Sequence, residues 1–318
     1  MAKLDSVIGF EYNSYEIRAV EMTKSGGIYN LVAYGTQALE SAVVEEGFIR
    51  DAERFSDAFL TLLREKNFTA DDIVVGVNNE NVVMRYASFP KVPDDKLRNM
   101  IFLQAQEFMP VPVQEMEMDY LVAGKSTNSE DQDMIDVVLV GARKAMLEQL
   151  INVFGAAKKS IYDVEPTAFA LCRAASIANP EKCYCLLNVS NGIINFMFIK
   201  GDKIQTVRSI QIPEKHFDAV QSIYKGEATD EEINEAVDML VSELNASLSY
   251  YSVQYPMDVV DVVYFIHDVN NGEKVVEKLK TSVSLPVEAP SFYANLGGAI
   301  DIFPYTACIS VAIQALEG

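Results

Sequence analysis

Residues able to carry covalent or metal chemistry are few and scattered along this chain. Two histidines occur, His216 and His267, and neither stands in a Ser/His/Asp, nucleophile or zinc pattern, so both read as ordinary loop or surface residues. The cysteines Cys172, Cys183, Cys185 and Cys308 fall inside apolar segments and offer a single C-x-C pair, which is too little for a metal site. On a strand, Cys183 and Cys185 would share one face as buried free thiols. Glu227, Asp230, Glu231 and Glu232 gather where a helical pattern begins, and negative charge there complements the helix dipole better than it suggests a metal. Tyr250, Tyr251 and Tyr255 have the spacing of residues that close a core. No catalytic residue and no metal ligand set emerges.

The charge balance narrows the partners. Across 318 residues, 46 acidic against 26 basic side chains give a net charge of -20, which repels nucleic acid and an anionic membrane surface alike. With 49% hydrophobic residues the chain can bury two cores of ordinary size. No apolar run approaches the ~20 residues that span a bilayer, and the stretch from Met1 to Gly9 lacks a signal-peptide layout. A cytoplasmic protein with no direct membrane anchor is expected.

Periodicity shows one pattern twice. Strand-like runs at 7–12, 16–22 and 28–34 lead into a helix at 52–66 behind a possible Asp51 cap, then a buried strand at 73–77. The second copy runs through strands at 183–188, 193–199 and 203–210, a helix at 230–251, a strand at 259–266 and a helix at 273–279. Two copies of strand, strand, strand, helix, strand predict a duplicated α/β protein. Residues from about 87 to 160 stand outside the repeat and read as an inserted subdomain. There Asp94 can cap a helix that ends at Pro110, strands at 118–123 and 135–142 flank a polar hairpin loop at 125–133, and a last helix covers 146–157.

These elements carry motifs that resemble a known family. Ile8-Gly9-Phe10-Glu11, Ile17-Arg18-Ala19-Val20-Glu21, Gly35 and Gly47-Phe48-Ile49 look like the opening of the PilM proteins of type IV pilus assembly, relatives of FtsA. Gln104-Ala105-Gln106-Glu107-Phe108-Met109-Pro110-Val111-Pro112 is similar to the family's inserted-subdomain motif, and Val140-Gly141-Ala142-Arg143-Lys144 to the strand end after it. Asp163-Val164-Glu165-Pro166-Thr167-Ala168 resembles the segment that joins the insert to the second lobe. The resemblance implies a duplicated actin-like (ribonuclease H-like) α/β fold, two lobes with an FtsA-type insert. It would place the first lobe at 1–86 and 161–181, the insert at 87–160 and the second lobe at 182–304, with a C-terminal helix at 305–318 packing back on the first lobe.

The wider fold family holds ATP and magnesium on two hairpins and a glycine-rich turn, and the resemblance maps those places here. The first hairpin has Glu11 and Asn13 where the pattern has aspartate and glycine, so the carboxylate is a methylene longer and bulk is added where glycine lets backbone approach phosphate. The second reads Asn188-Val189-Ser190-Asn191-Gly192, with a neutral amide in place of the metal-side aspartate. The adenosine turn reads His267-Asp268-Val269-Asn270-Asn271-Gly272, without consecutive glycines. A vestigial nucleotide site at Glu11, Asn13, Asn188, Ser190 and His267 follows, with no cofactor and no ATPase activity expected.

The resemblance also implies that the cytoplasmic tail of a PilN-like inner-membrane protein docks between the insert and the first lobe, on Gln104, Glu107, Phe108, Pro110, Pro112 and Arg143. The alternative for those six is plain packing of the insert. The reading is thus a scaffold peripheral to the inner face of the cell membrane, held there by partners that include PilN and pilus motor or platform proteins, with self-association possible. Its alternatives are an active actin-like ATPase switched by MgATP, and an FtsA-like division filament, for which a basic C-terminal amphipathic helix would be the mark; no lysine or arginine follows Lys280.

Overall fold

Strand β1 (Ser6–Tyr12) is apolar on both faces, which places it at the centre of a sheet. The computed structural model describes residues 4–128, 130–178, 182–190, 192–201, 203–267, 272–297 and 302–317. Strands β2 (Glu16–Ser25) and β3 (Ile28–Ala38) follow as antiparallel neighbours, reversed at Gly26 and Gly27 with φ of 57° and 82°. A two-residue pair, β4 (Val44–Glu45) and β5 (Phe48–Ile49), precedes helix α1 (Ala52–Glu65), whose first turn is capped by the Asp51 carboxylate accepting from Arg54 N at 3.0 Å. Strand β6 (Asp72–Val77) lies parallel to β1.

The chain then makes an excursion through β7 (Val82–Pro90), α2 (Asp94–Gln104), β8 (Met116–Thr127) and β9 (Asp133–Arg143), which form an antiparallel sheet in the order β7-β9-β8 with α2 on it. It returns through α3 (Lys144–Ala156) to β10 (Ser160–Pro166), parallel to β6, and on to α4 (Thr167–Ala178). The first sheet is thereby ordered β10-β6-β1-β2-β3.

Strands β11 (Cys183–Ser190), β12 (Ile193–Lys200) and β13 (Lys203–Gln211) repeat the antiparallel start. Helices α5 (Phe217–Lys225) and α6 (Asp230–Gln254) lead to β14 (Val262–His267), parallel to β11, and α7 (Gly272–Ser282) leads to β15 (Val287–Glu288), parallel to β14. The order β15-β14-β11-β12-β13 is that of the first sheet, strand for strand. A short α8 (Ala294–Gly297) and α9 (Thr306–Glu317) finish the chain, with Cys308, Ile309, Val311 and Ala312 of α9 buried against Val7, Val20 and Val74 of the first sheet. No helix among the described residues is long and apolar enough to cross a membrane.

Two compact units result. One holds residues 1–81, 144–178 and 291–318, the other 82–143 and 179–290. The division corrects the sequence reading at the insert. Helix α3 belongs with the first sheet, because it is the crossover between parallel β6 and β10, as α7 is between β14 and β15. Its Phe154 is fully buried, edge-on to Phe10 at 5.1 Å and to Phe59 of α1 at 5.0 Å. The insert itself runs from Val82 and groups with the second sheet, where the Tyr86 and Tyr255 hydroxyls meet at 3.3 Å and Tyr255 donates to the Gln205 carbonyl at 2.7 Å.

Local expectations differ at several ends. Asp94 is the first helical residue of α2 and makes no cap; Pro93 precedes it, so the acidic pair Asp94 and Asp95 acts on the dipole alone. The helix stops at Gln104, a 3-10 turn covers 105–107, and the 125–133 loop shrinks because β8 and β9 pair as far as Thr127 and Asp133. Of the three tyrosines, Tyr251 is core, stacked on Phe198 at 4.5 Å, whereas Tyr250 is 55% exposed. All four cysteines are buried free thiols, Cys183 and Cys185 in one core cluster. His216 Nδ1 lies 2.7 Å from Glu235 Oε1.

The acidic start of α6 is a capping box. Thr229 Oγ1 accepts from Glu232 N at 3.2 Å and Glu232 Oε2 accepts from Thr229 N at 2.7 Å. Hydrogen bonds from the Thr229 backbone first, then from the Ser222 and Thr229 hydroxyls, hold the Glu232 carboxyl below its ordinary value. A carboxyl lowered on folding stabilises the fold above its unfolded pKa and loses that contribution as pH falls through the folded value. Thr229→Ala, which removes one of the hydroxyl donors, should therefore lower stability at neutral pH, and chemical denaturation should show the Glu232-linked part of the deficit shrinking as pH falls below the normal glutamate range.

Candidate functional site

The ends of the two central strands carry the residues singled out by sequence. In the first unit β1 ends on Glu11 and Tyr12, and the chain turns at Asn13. Asn13 is 5% exposed; its Oδ1 accepts from Tyr15 N at 2.8 Å and from Glu16 N at 2.9 Å, and its own N–H donates to Glu16 O at 3.0 Å. This is an Asx-type turn. Its φ is negative, so the position asks for no glycine-like conformation, contrary to what the glycine-based pattern suggests.

Glu11 is half-buried, and donors from two helices meet its carboxylate. Thr167 Oγ1, at the start of α4, donates to Oε1 at 2.9 Å, and Cys308 Sγ, on α9, donates to Oε2 at 3.6 Å. Burial first, and then the charge of Glu11, push the Cys308 thiol well above its ordinary pKa, so it stays protonated and its one proton is shared between Glu11 Oε2 and the Arg18 carbonyl, each 3.6 Å away. The longer side chain finds room because Gly76 faces it from β6: a methyl there would come 3.1 Å from Glu11 Cγ and 2.9 Å from Thr167 Oγ1. Neither Thr167 nor Cys308 was singled out as a site residue, although Thr167 stands in the quoted 163–168 motif.

In the second unit Asn188 is 3% exposed and donates through Nδ2 to the Ile266 carbonyl of β14 at 3.3 Å. It is paired in register with Asn195, which is paired with Ser209, and Ser209 Oγ donates to Asn195 Oδ1 at 2.7 Å. A polar row thus crosses three strands inside the sheet. Ser190 ends β11, and Asn191 lies outside the described residues. His267 ends β14 with its ring against Phe265 at 5.2 Å and against the first residue of α7. A methyl at Gly272 would come 1.7 Å from His267 Cε1, so the imidazole fills the space before the helix. Residues 268–271 of the adenosine-turn reading lie outside the described residues.

The insert residues form a separate cluster within the second unit. Gln104 ends α2 and Glu107 closes the following turn, both exposed; Pro110 and Pro112 are exposed as well. Phe108 is half-buried, edge-on to Phe89 at 5.5 Å, and Met109 is buried with Met116 beside Gly141 of β9. Arg143, two residues further along β9, is half-buried, paired in register with Met116, and has no hydrogen bond or ion pair among the described residues. Phe108 and Met109 are therefore pins holding the turn, while Gln104, Glu107, Pro110, Pro112 and Arg143 remain accessible.

Two residues of the same segment lie outside the sequence-based set. Leu103 is 84% exposed at the end of α2. Gln106 braces the prolines: its Oε1 accepts from Val113 N at 3.0 Å and its Nε2 donates to Val111 O at 3.4 Å. A glutamine seven residues before the donor it satisfies gives no periodic signal, so only its place in the motif pointed to it. Gln106→Ala should raise the hydrogen-exchange rate of the Val113 amide by about fivefold, the worth of one hydrogen bond of about 1 kcal/mol, with β9 amides unchanged. An unaltered Val113 rate would show that the brace is idle.

Comparison with known proteins converges on one family. Residues 9–213, more than half of the chain, match the family model for the type IV pilus assembly protein PilM. The fold is similar to a solved PilM-PilN type IV pilus biogenesis complex, with a TM-score of 0.80 and 17% identity over 100% of both chains. More distant likenesses are a Bacteroides thetaiotaomicron protein with an actin-like ATPase fold and unknown function (TM-score 0.51, 8% identity, 96% of each chain) and the ethanolamine utilization protein EutJ of Carboxydothermus hydrogenoformans (TM-score 0.52, 11% identity, 100% of this chain and 91% of that one). With its two like-ordered sheets and its insert between β6 and α3, this chain has the duplicated actin-like fold and belongs to the PilM family of type IV pilus assembly proteins.

Proposed function

We propose that the protein serves type IV pilus assembly as a cytoplasmic, non-hydrolysing scaffold, and that its insert binds a short extended segment from the tail of a PilN-like inner-membrane protein. The observation that carries this reading is the end of α2 and the turn after it, which leave Leu103, Gln104, Pro110 and Pro112 exposed while Met109 is buried and Gln106 braces the turn. Paired prolines on a rigid turn offer a preorganised ledge to an extended chain, and preorganisation lowers the entropy lost on binding. Arg143, a cation with no ion-pair partner among the described residues, suits a carboxylate or backbone carbonyl on such a segment. Similarity to a chain solved as a PilM-PilN complex supports the choice of partner.

The strand ends support the non-hydrolysing half. Glu11 accepts from Thr167 and Cys308, Asn188 is a neutral amide engaged with β14, and the His267 ring occupies the space in front of α7. Glu11 is the one carboxylate among them and is engaged within the fold, the second hairpin keeps an open Gly192 but has the neutral Asn188, and His267 stands where the wider fold has glycine, a set poorer in metal and phosphate ligands than that fold uses. In this reading, attachment to the membrane's inner face comes through the partner.

Titrating a peptide of the PilN-like tail by calorimetry tests the binding half. Leu103→Asp and Arg143→Ala should each weaken the peptide by about tenfold or more, about 1.4 kcal/mol, while Ile177→Asp, an exposed apolar position on α4, should leave it unchanged. Equal affinity for all three variants would remove the insert from the binding surface.

A further inference from the structure

Within the second unit, a recess of about 730 Å³ opens between the insert sheet and the edge of the sheet that carries β13. Its floor includes Asp136 of β9, which is 6% exposed. Asp136 Oδ1 accepts from the hydroxyls of Ser88 and Ser126, the latter at 2.9 Å. Its Oδ2 has no hydrogen bond among the described residues, and Gly124 opposite keeps the approach open, since even a methyl there would stand 3.9 Å away. An acceptor oxygen that faces the recess without a protein donor is available to a ligand hydroxyl.

The rim has the opposite charge. Lys125 and Lys203 line the recess without a hydrogen bond or ion pair among the described residues, in a chain whose net charge is -20. Lys200 lies there too, its charge offset by Asp258. One carboxylate beside lysines is a poor cation site. The polar walls, with the Tyr86 and Tyr255 hydroxyls among them, are equally unsuited to an apolar ligand, whereas the volume is that of a small-molecule site.

We propose that this recess binds a small phosphorylated sugar, with the phosphate on Lys125 and Lys203 and a sugar hydroxyl donating to Asp136 Oδ2. The unit joins the insert to the second sheet, so a ligand here would bridge the two. Tyr255 gives its proton to the Gln205 carbonyl, so Tyr86 gives its own to Tyr255 and keeps a lone pair to accept from a sugar hydroxyl. Sugar phosphates and nucleotides share the required chemistry.

Calorimetry of the full chain with ribose 5-phosphate, ribose, inorganic phosphate and adenosine 5′-monophosphate tests it. Ribose 5-phosphate should bind with a Kd below about 1 mM, at least about tenfold tighter than ribose or phosphate alone. The double variant Lys125→Ala, Lys203→Ala, changed at two exposed positions, should lose about tenfold or more, and Asp136→Asn should lose as much for ribose 5-phosphate while leaving inorganic phosphate unaffected. The lysine variant keeps the test decisive should the buried Asp136→Asn change impair folding. Lysine-dependent binding of adenosine 5′-monophosphate would support the site and assign it to nucleotides; lysine-dependent binding of ribose 5-phosphate alone would assign it to sugar phosphates. Absent binding, equal affinity for inorganic phosphate, or affinity that survives the lysine changes would overturn the proposal.

Discussion

A carboxylate drawn out of water needs donors, and at the end of β1 Glu11 finds them in the protein's own helices. Thr167 brings the start of α4 to it and Cys308 brings α9, so one polar contact ties together three elements that lie far apart in sequence. Removing either donor takes a hydrogen bond from a half-buried charge, and hydrogen bonds to charged groups are the stronger ones. The apolar packing runs along the same elements: α9 covers β1 and β2 through Cys308, Ile309 and Val311, and Phe10 on β1 meets Phe59 and Phe154 edge-on.

The second unit meets the same constraint with neutral groups. Ser209 donates to Asn195 on the neighbouring strand, and Asn188, in register with Asn195, donates to the Ile266 carbonyl of β14. Both sheets share one strand order, and Glu11, Asn188 and Asn195 near the ends of their strands all make hydrogen bonds within the protein. What the insert adds is an outward-facing surface. Its turn spends Met109 and Phe108 on packing and leaves Leu103 and two prolines in water, a distribution that packing alone does not require.

The repeat was legible because strands of period two and helices of period 3.6 alternate in the same order twice, and the structure places both copies in sheets of the same order. Helix α3 was misassigned because its apolar face, Met146, Leu150 and Phe154, announces burial without saying against what. Only the crossover from β6 to β10 decides that. The capping box at Thr229 was hidden by the run of acids after it, and Asn13 was judged by the glycine it stands for, whereas its side chain makes a turn of its own. The Glu11 contacts join residues separated by 156 and 297 positions, beyond the reach of any local pattern.

The central proposal is that the strand ends serve the fold and not nucleotide chemistry. A calorimetric titration of the purified chain with ATP in the presence of magnesium addresses it most directly. With the recess disabled by Lys125→Ala and Lys203→Ala, the account predicts no saturable heat at ATP concentrations up to about 1 mM, the upper end of ordinary enzyme KM values. Saturable magnesium-dependent binding well below that, abolished by Asn188→Leu, would contradict it and make Glu11, Asn13, Asn188, Ser190 and His267 parts of a working site.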